Sequence, residues 1–134
     1  MVDRVEAKRW MRLAQRDYDI GTHLREFFKP MPVEVICFHG HQTVEKALKA
    51  VLAYHKVDIP KTHDINKLNR LCANYTNNVQ PNRIVTETMT TFAVATRYVE
   101  DRNDFTEDTA AFALKHAKQI LDNVIQYFDE IEKE

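Results

Sequence analysis

Val33-Glu34-Val35-Ile36-Cys37-Phe38-His39-Gly40-His41-Gln42-Thr43-Val44-Glu45-Lys46-Ala47-Leu48-Lys49-Ala50-Val51-Leu52 is the stretch on which the reading of this chain turns. Val35, Ile36, Val44, Ala47, Leu48, Val51 and Leu52 recur at steps of three, four and seven, the spacing of one apolar helix face. Lys46 and Lys49 are expected on the wet side. Pro32 suits the first turn, where a missing N–H costs nothing, and Glu34 sits near the positive helix end. The helix is expected to run to about His55.

Working outward, Lys29-Pro30-Met31-Pro32 closes a preceding helix, because proline disfavours helix at the residue before it. That first helix, Asp3 to Phe28, places Trp10, Leu13, Ala14, Tyr18, Gly21, Leu24 and Phe28 on one stripe. Downstream, Thr62-His63-Asp64 opens a short helix carrying Ile65, Leu68, Leu71 and Cys72, with Thr62 as N-cap and Asp64 as a first-turn charge. After the turn chemistry of Asn77 to Asn82, a fourth helix carries Ile84, Val85, Met89, Phe92, Ala93 and Ala95. Asp101 to Asp104 breaks it. Thr106 then caps a long last helix with Glu107 and Asp108 in its first turn, running through Phe112, Leu121 and Phe128 to Ile131. The expectation is all-α: an up-and-down bundle of four long helices plus one short helix, a single domain over residues 1–134.

Composition agrees. With two glycines and four prolines in 134 residues, few positions can interrupt a helix. The chain is 44% hydrophobic and 29% charged, a globular balance, and its net charge of −1 gives no global pull toward nucleic acid or membrane. It holds no serine, which excludes a serine acyl-enzyme, and no glycine-rich phosphate loop. The charged start lacks a secretory h-region and no apolar run suits a membrane span, so the expected location is cytoplasmic. Cys37 and Cys72 read as buried, reduced thiols. His39 and His41, two apart, point about 200° away from one another on a helix and cannot chelate one ion together; no metal site and no cofactor is expected.

Two charged groups carry more information. Arg4, Lys8, Arg12 and Arg16 recur every four residues, a repulsive spacing. Either the acidic end of the last helix (Asp122, Asp129, Glu130, Glu132, Glu134) lies beside them, or they meet phosphates or an acidic partner. Arg97-Tyr98-Val99-Glu100-Asp101-Arg102 places two arginines and an aromatic ring at a helix junction. They suit either bidentate phosphate binding with base stacking or an internally paired junction.

Trp10, Ala14 and Asp17-Tyr18, then Cys37-Phe38-His39 leading into Glu45-Lys46-Ala47-Leu48-Lys49-Ala50, then His63-Asp64-Ile65 with Leu68, and Arg97-Tyr98 ahead of Phe105 together resemble the HEPN family. The resemblance implies a helical bundle that dimerises and is encoded beside a minimal nucleotidyltransferase, the two behaving as toxin and antitoxin. It also implies residues that meet a nucleotide or RNA: Arg97, Tyr98 and Arg102, with His39, Lys46 and His63. Many HEPN proteins are metal-independent ribonucleases in which four to six residues separate an arginine from a following histidine. Here the windows hold Arg102, Asn103 and Asp104 after Arg97, and Glu107, Asp108 and Thr109 after Arg102. Arg97-Tyr98 resembles a non-cleaving branch that usually carries proline where Val99 stands. The expected function is therefore a nucleotide- or RNA-binding module, with no catalytic residue assigned. A divergent ribonuclease and a purely structural helical adaptor are the alternatives. Read from the residues alone, Glu45, Lys46 and Lys49 form surface i,i+4 pairs, His63-Asp64 caps its helix, and Gly40 with Ala47 suits a close dimer seam.

Overall fold

A computed structural model describes residues 1–77, 79 and 105–133 of the chain. Among these residues it is all-α and contains no strand: α1 Arg4–Phe27, α2 Val33–Tyr54, α3 Ile65–Cys72 and α4 Glu107–Glu132. Three are long and α3 is short. The expected fourth long helix, around residues 84–100, lies outside the described residues, as do Arg97, Tyr98 and Arg102.

The helix ends follow capping chemistry. Asp3 caps α1, its carboxylate accepting from the Glu6 N–H. Thr106 caps α4 as expected, and Thr109 completes a reciprocal box with it. At the start of α3 the structure decides between two readings of the cap, Thr62 and the His63-Asp64 pair. Asp64, not Thr62, is the N-cap and accepts from the Lys67 N–H, while the Thr62 hydroxyl accepts from the Asp64 N–H. A carboxylate at the cap opposes the helix dipole better than a hydroxyl does, and Thr62 stiffens the turn that delivers it.

α2 is the central element, with sixteen of its 22 residues buried. α1 runs antiparallel to it: the Asp3 N–H donates to the Tyr54 carbonyl at one end, and Gly21 lies against His39 and the Ile36 carbonyl at the other. α4 runs parallel to α2, from the approach of Ala113 to Gly40 down to a 2.6 Å hydrogen bond between His55 and Tyr127. α3 closes one side through Ile65, Leu68 and Cys72, whose thiol donates to the Leu48 carbonyl. One apolar cluster joins all four helices, built around Ile36, Val44, Leu48, Val51, Leu121 and Val124.

Gly40 sets the closest approach. A Cβ there would stand 3.1 Å from the Ala113 Cβ and 3.2 Å from its carbonyl oxygen, so the two helix backbones nearly touch. The small residues that suited a dimer seam, Gly40 and Ala47, are thus buried inside the chain. Burial also pushes the Cys37 and Cys72 thiols up to about 12, and both are free. No helix among the described residues is long and apolar enough to cross a membrane.

Enlarging Gly40 must push α4 outward. Gly40→Leu is expected to destabilise the fold by about 1–3 kcal/mol through overpacking. In Gly40→Ala the gain in helix propensity, about 1 kcal/mol, offsets much of the strain. Urea denaturation compares the two, and a Leu variant as stable as wild type would show that the contact is not limiting.

Candidate functional site

Three of the six residues singled out in the sequence lie in the described structure, and all three are held by buried carboxylates. Asp17 lies between Ala14 and Gly21 on the inward stripe of α1 and is 5% exposed. His39 Nδ1 donates to its Oδ1 at 2.8 Å, and Lys46 Nζ donates to Oδ2. Both partners come from α2, seven residues apart, so two turns of helix deliver them to one carboxylate. Burial disfavours the charged carboxyl of Asp17. The hydrogen bonds and positive charge from His39 and Lys46 outweigh that and hold its pKa below the ordinary value.

A second cluster gathers on Glu45, also buried. Lys49 Nζ donates to Oε2 at 3.0 Å and His63 Nδ1 to Oε1 at 2.8 Å. Lys49 also stands over the Trp10 ring, 5.6 Å from its centroid. His41, fully buried, donates from Nε2 to the His63 carbonyl at 2.8 Å, which ties α2 to the turn before α3. Desolvation pushes the His41 pKa down, against the raising effects of that hydrogen bond and of the Glu45 charge. Burial thus favours the neutral ring, with Nε2 carrying the proton given to the His63 carbonyl.

This changes the sequence reading of Lys46 and Lys49. The wet side expected for them does not exist, because α1 covers that flank of α2 and supplies Asp17; Lys49 is only 8% exposed. The Glu45–Lys49 pair does form at the i,i+4 spacing, but in the interior rather than on the surface. His39 and Lys46 share one carboxylate, whereas His63 belongs to the other cluster and is 59% exposed at its side chain. Asp17 and His41 were given no anchoring role by the sequence reading, and Glu45 only a surface pairing with its lysines. The available signal was a carboxylate on an apolar stripe, Asp17 between Ala14 and Gly21.

The basic row on α1 divides. Arg4 pairs with Glu132 at 2.6 Å, so the acidic end of α4 does lie beside it. Lys8 shares a small recess with Asp129 and Glu132. Arg12 and Arg16 instead border a shallow apolar groove with Ile20, Leu24 and Phe28. Among the described residues, no three His, Cys, Asp or Glu side chains are grouped to hold a metal ion.

A helical bundle whose central helix carries two buried ion clusters is the class these observations define. The chain belongs to the HEPN domain family, which it matches over residues 7–128. Its fold is similar to that of ST0689, an archaeal HEPN homologue, with a TM-score of 0.64 and 22% identity over 91% of this chain and 97% of that one. It is also similar to TT1696 from Thermus thermophilus, with a TM-score of 0.71 and 20% identity over 90% of this chain and 97% of that one. No functionally curated protein is significantly similar to the chain in sequence.

Asp17→Asn leaves His39 and Lys46 without a counter-charge and is expected to cost about 2–4 kcal/mol near neutral pH. Because the folded carboxyl titrates below its unfolded value near 4, its contribution is present above about pH 4 and lost as pH falls through the folded pKa. The stability gap between wild type and Asp17→Asn should accordingly close in acid; a gap independent of pH would refute the ion-pair account. For His41 the unfolded chain binds the extra proton, so stability is full above about pH 6.5 and falls below it. Thermal melts from pH 7.5 to 5.5 should show a smaller loss in His41→Gln than in wild type.

Proposed function

We propose that this chain is a non-catalytic HEPN module that binds nucleotide or RNA as a homodimer and acts with a minimal nucleotidyltransferase in a toxin–antitoxin-like pair. The observation that carries the reading is the family match across residues 7–128. Arg97 and Arg102 supply donors suited to phosphate oxygens, and Tyr98 supplies a ring on which a base can stack. The absence of catalysis rests on sequence. Neither four-to-six-residue window after these arginines holds a histidine, and carboxylates of ordinary pKa are poor proton donors at neutral pH. The engagement of His39 and Lys46 with Asp17 supports the same view, since both are committed to holding α1 on α2. That engagement also favours the competing reading of a structural adaptor, in which Arg97→Ala alters stability and no ligand interaction.

The deciding experiment titrates the protein with short RNA and with ATP in EDTA, following binding and RNA integrity together. At least one of the two should bind without RNA cleavage, and Arg97→Ala should weaken that binding about tenfold or more. Metal-independent cleavage lost in Arg97→Ala would make the protein a ribonuclease. Absence of all binding would leave the adaptor. Light scattering should give twice the 15.8 kDa chain mass, and coexpression with the nucleotidyltransferase of a neighbouring gene should yield a complex.

A further inference from the structure

The repulsive row of cations on α1 is only half answered within the chain. Arg4 has Glu132, and Lys8 has Asp129 and Glu132 nearby. Arg12 and Arg16 have no ion-pair or hydrogen-bond partner among the described residues. Both are exposed, on the face of α1 opposite the inward stripe of Ala14 and Gly21. Along that outer face, steps of seven, three and seven residues connect Arg9, Arg16, Asp19 and Glu26, all exposed. Asp19 accepts a hydrogen bond from the Gln15 amide at 2.9 Å, and Arg9 reaches Glu6 only at 3.6 Å. The same face carries apolar surface. Ile20 and Phe27 are exposed, and the His23 ring packs on Phe27 at 4.8 Å between centroids.

We infer that two copies of this chain pair through this face, α1 antiparallel to α1, with Arg16 on the partner's Asp19 and Arg9 on the partner's Glu26. The order of charge along the helix dictates the pairing. Arg16 and Asp19 lie at equal distances on either side of a point between Asp17 and Tyr18, and so do Arg9 and Glu26. A two-fold axis at that point sets each of these cations opposite an acid, twice over, in a single register. In the same register Arg12 falls opposite the partner's His23, beside Phe27, where a guanidinium can stack on rings. The mixture of signs selects the occupant. A polyanion or a uniformly acidic partner would answer the arginines but be repelled by Asp19 and Glu26. A second copy answers both. Exposed ion pairs add little by themselves, so covering Ile20 and Phe27 supplies the attraction while the charges set orientation and register. The inference rests on the homodimer reading and gives that dimer a face and a register.

Sedimentation equilibrium tests this by comparing wild type with Arg16→Asp, with Asp19→Arg, and with an equimolar mixture of the two variants. The substituted side chains are exposed, and circular dichroism checks that each variant folds. Wild type should be dimeric. Each single variant opposes like charges twice and should raise the dimer dissociation constant about tenfold or more. The mixture should recover the dimer, because one chain then presents two acids and the other two arginines across the same seam. Arg9→Asp with Glu26→Arg repeats the exchange nearer the ends of the seam, so a variant that misfolds in one set leaves the other to decide. Single variants as dimeric as wild type, or monomeric ones that stay monomeric when mixed, would overturn the inference and leave the homodimer reading intact. A monomeric wild type would remove that reading and this face with it.

Discussion

The fold depends on a carboxylate that has no business in an apolar interface unless its partners arrive with it. Asp17 occupies the stripe by which α1 is laid on α2, and its charge is tolerable only because His39 and Lys46 reach it together. The apolar side chains around it are interchangeable in character and would accept several relative positions of two amphipathic helices. A buried ion with two required donors accepts few, because any shift leaves a charge unpaired in the interior. α2 repeats the device through Glu45, which ties Lys49 and His63, while His41 fastens to the His63 carbonyl. One helix thus carries the donors that place α1 and the acceptor that places the turn before α3.

These clusters bear on function by subtraction. His39, Lys46 and His63 look like binding residues in a bare sequence, because cationic and imidazole side chains are the groups that meet phosphates. In the folded chain the first two are engaged by Asp17, and His63 is oriented by Glu45 with most of its side chain in solvent. Other cations, such as Arg12 and Arg16 along α1, lie outside these clusters. Charge that answers no internal need is the better guide to what the surface meets.

Much of this fold was legible because its helices obey one rule each. The α1 stripe, the prolines at 30 and 32, the Thr106 cap and the Arg4 contact with acidic α4 all follow from periodicity, φ restriction and charge. The reading failed where that rule assumes a helix buried on one side. α2 is covered by α1, α3 and α4, so Lys49 had no wet face to occupy, and Asp17 could be found only by noticing a charge between Ala14 and Gly21. Thr62 and the His63-Asp64 pair both read as caps of α3, because both residue types suit that position and only the backbone decides. HEPN membership was legible in the Cys37-to-Ala50 stretch with His63-Asp64-Ile65, motifs that coincide with the two ion clusters.

The approach of Gly40 to Ala113 has a consequence for how α4 keeps its register. Ala110, Ala113 and Ala117 follow one another along the same inward face, all fully buried. A slide of α4 by one turn, about 5.4 Å, would bring another alanine opposite Gly40 and restore much the same backbone fit. The small-residue seam therefore behaves as a rail with evenly spaced stops and does not choose among them. The choice falls to groups that occur once: Tyr127 meeting His55, and Glu132 meeting Arg4. Closeness in this bundle comes from what is absent at Gly40, and position from the polar contacts at the far end of the helix.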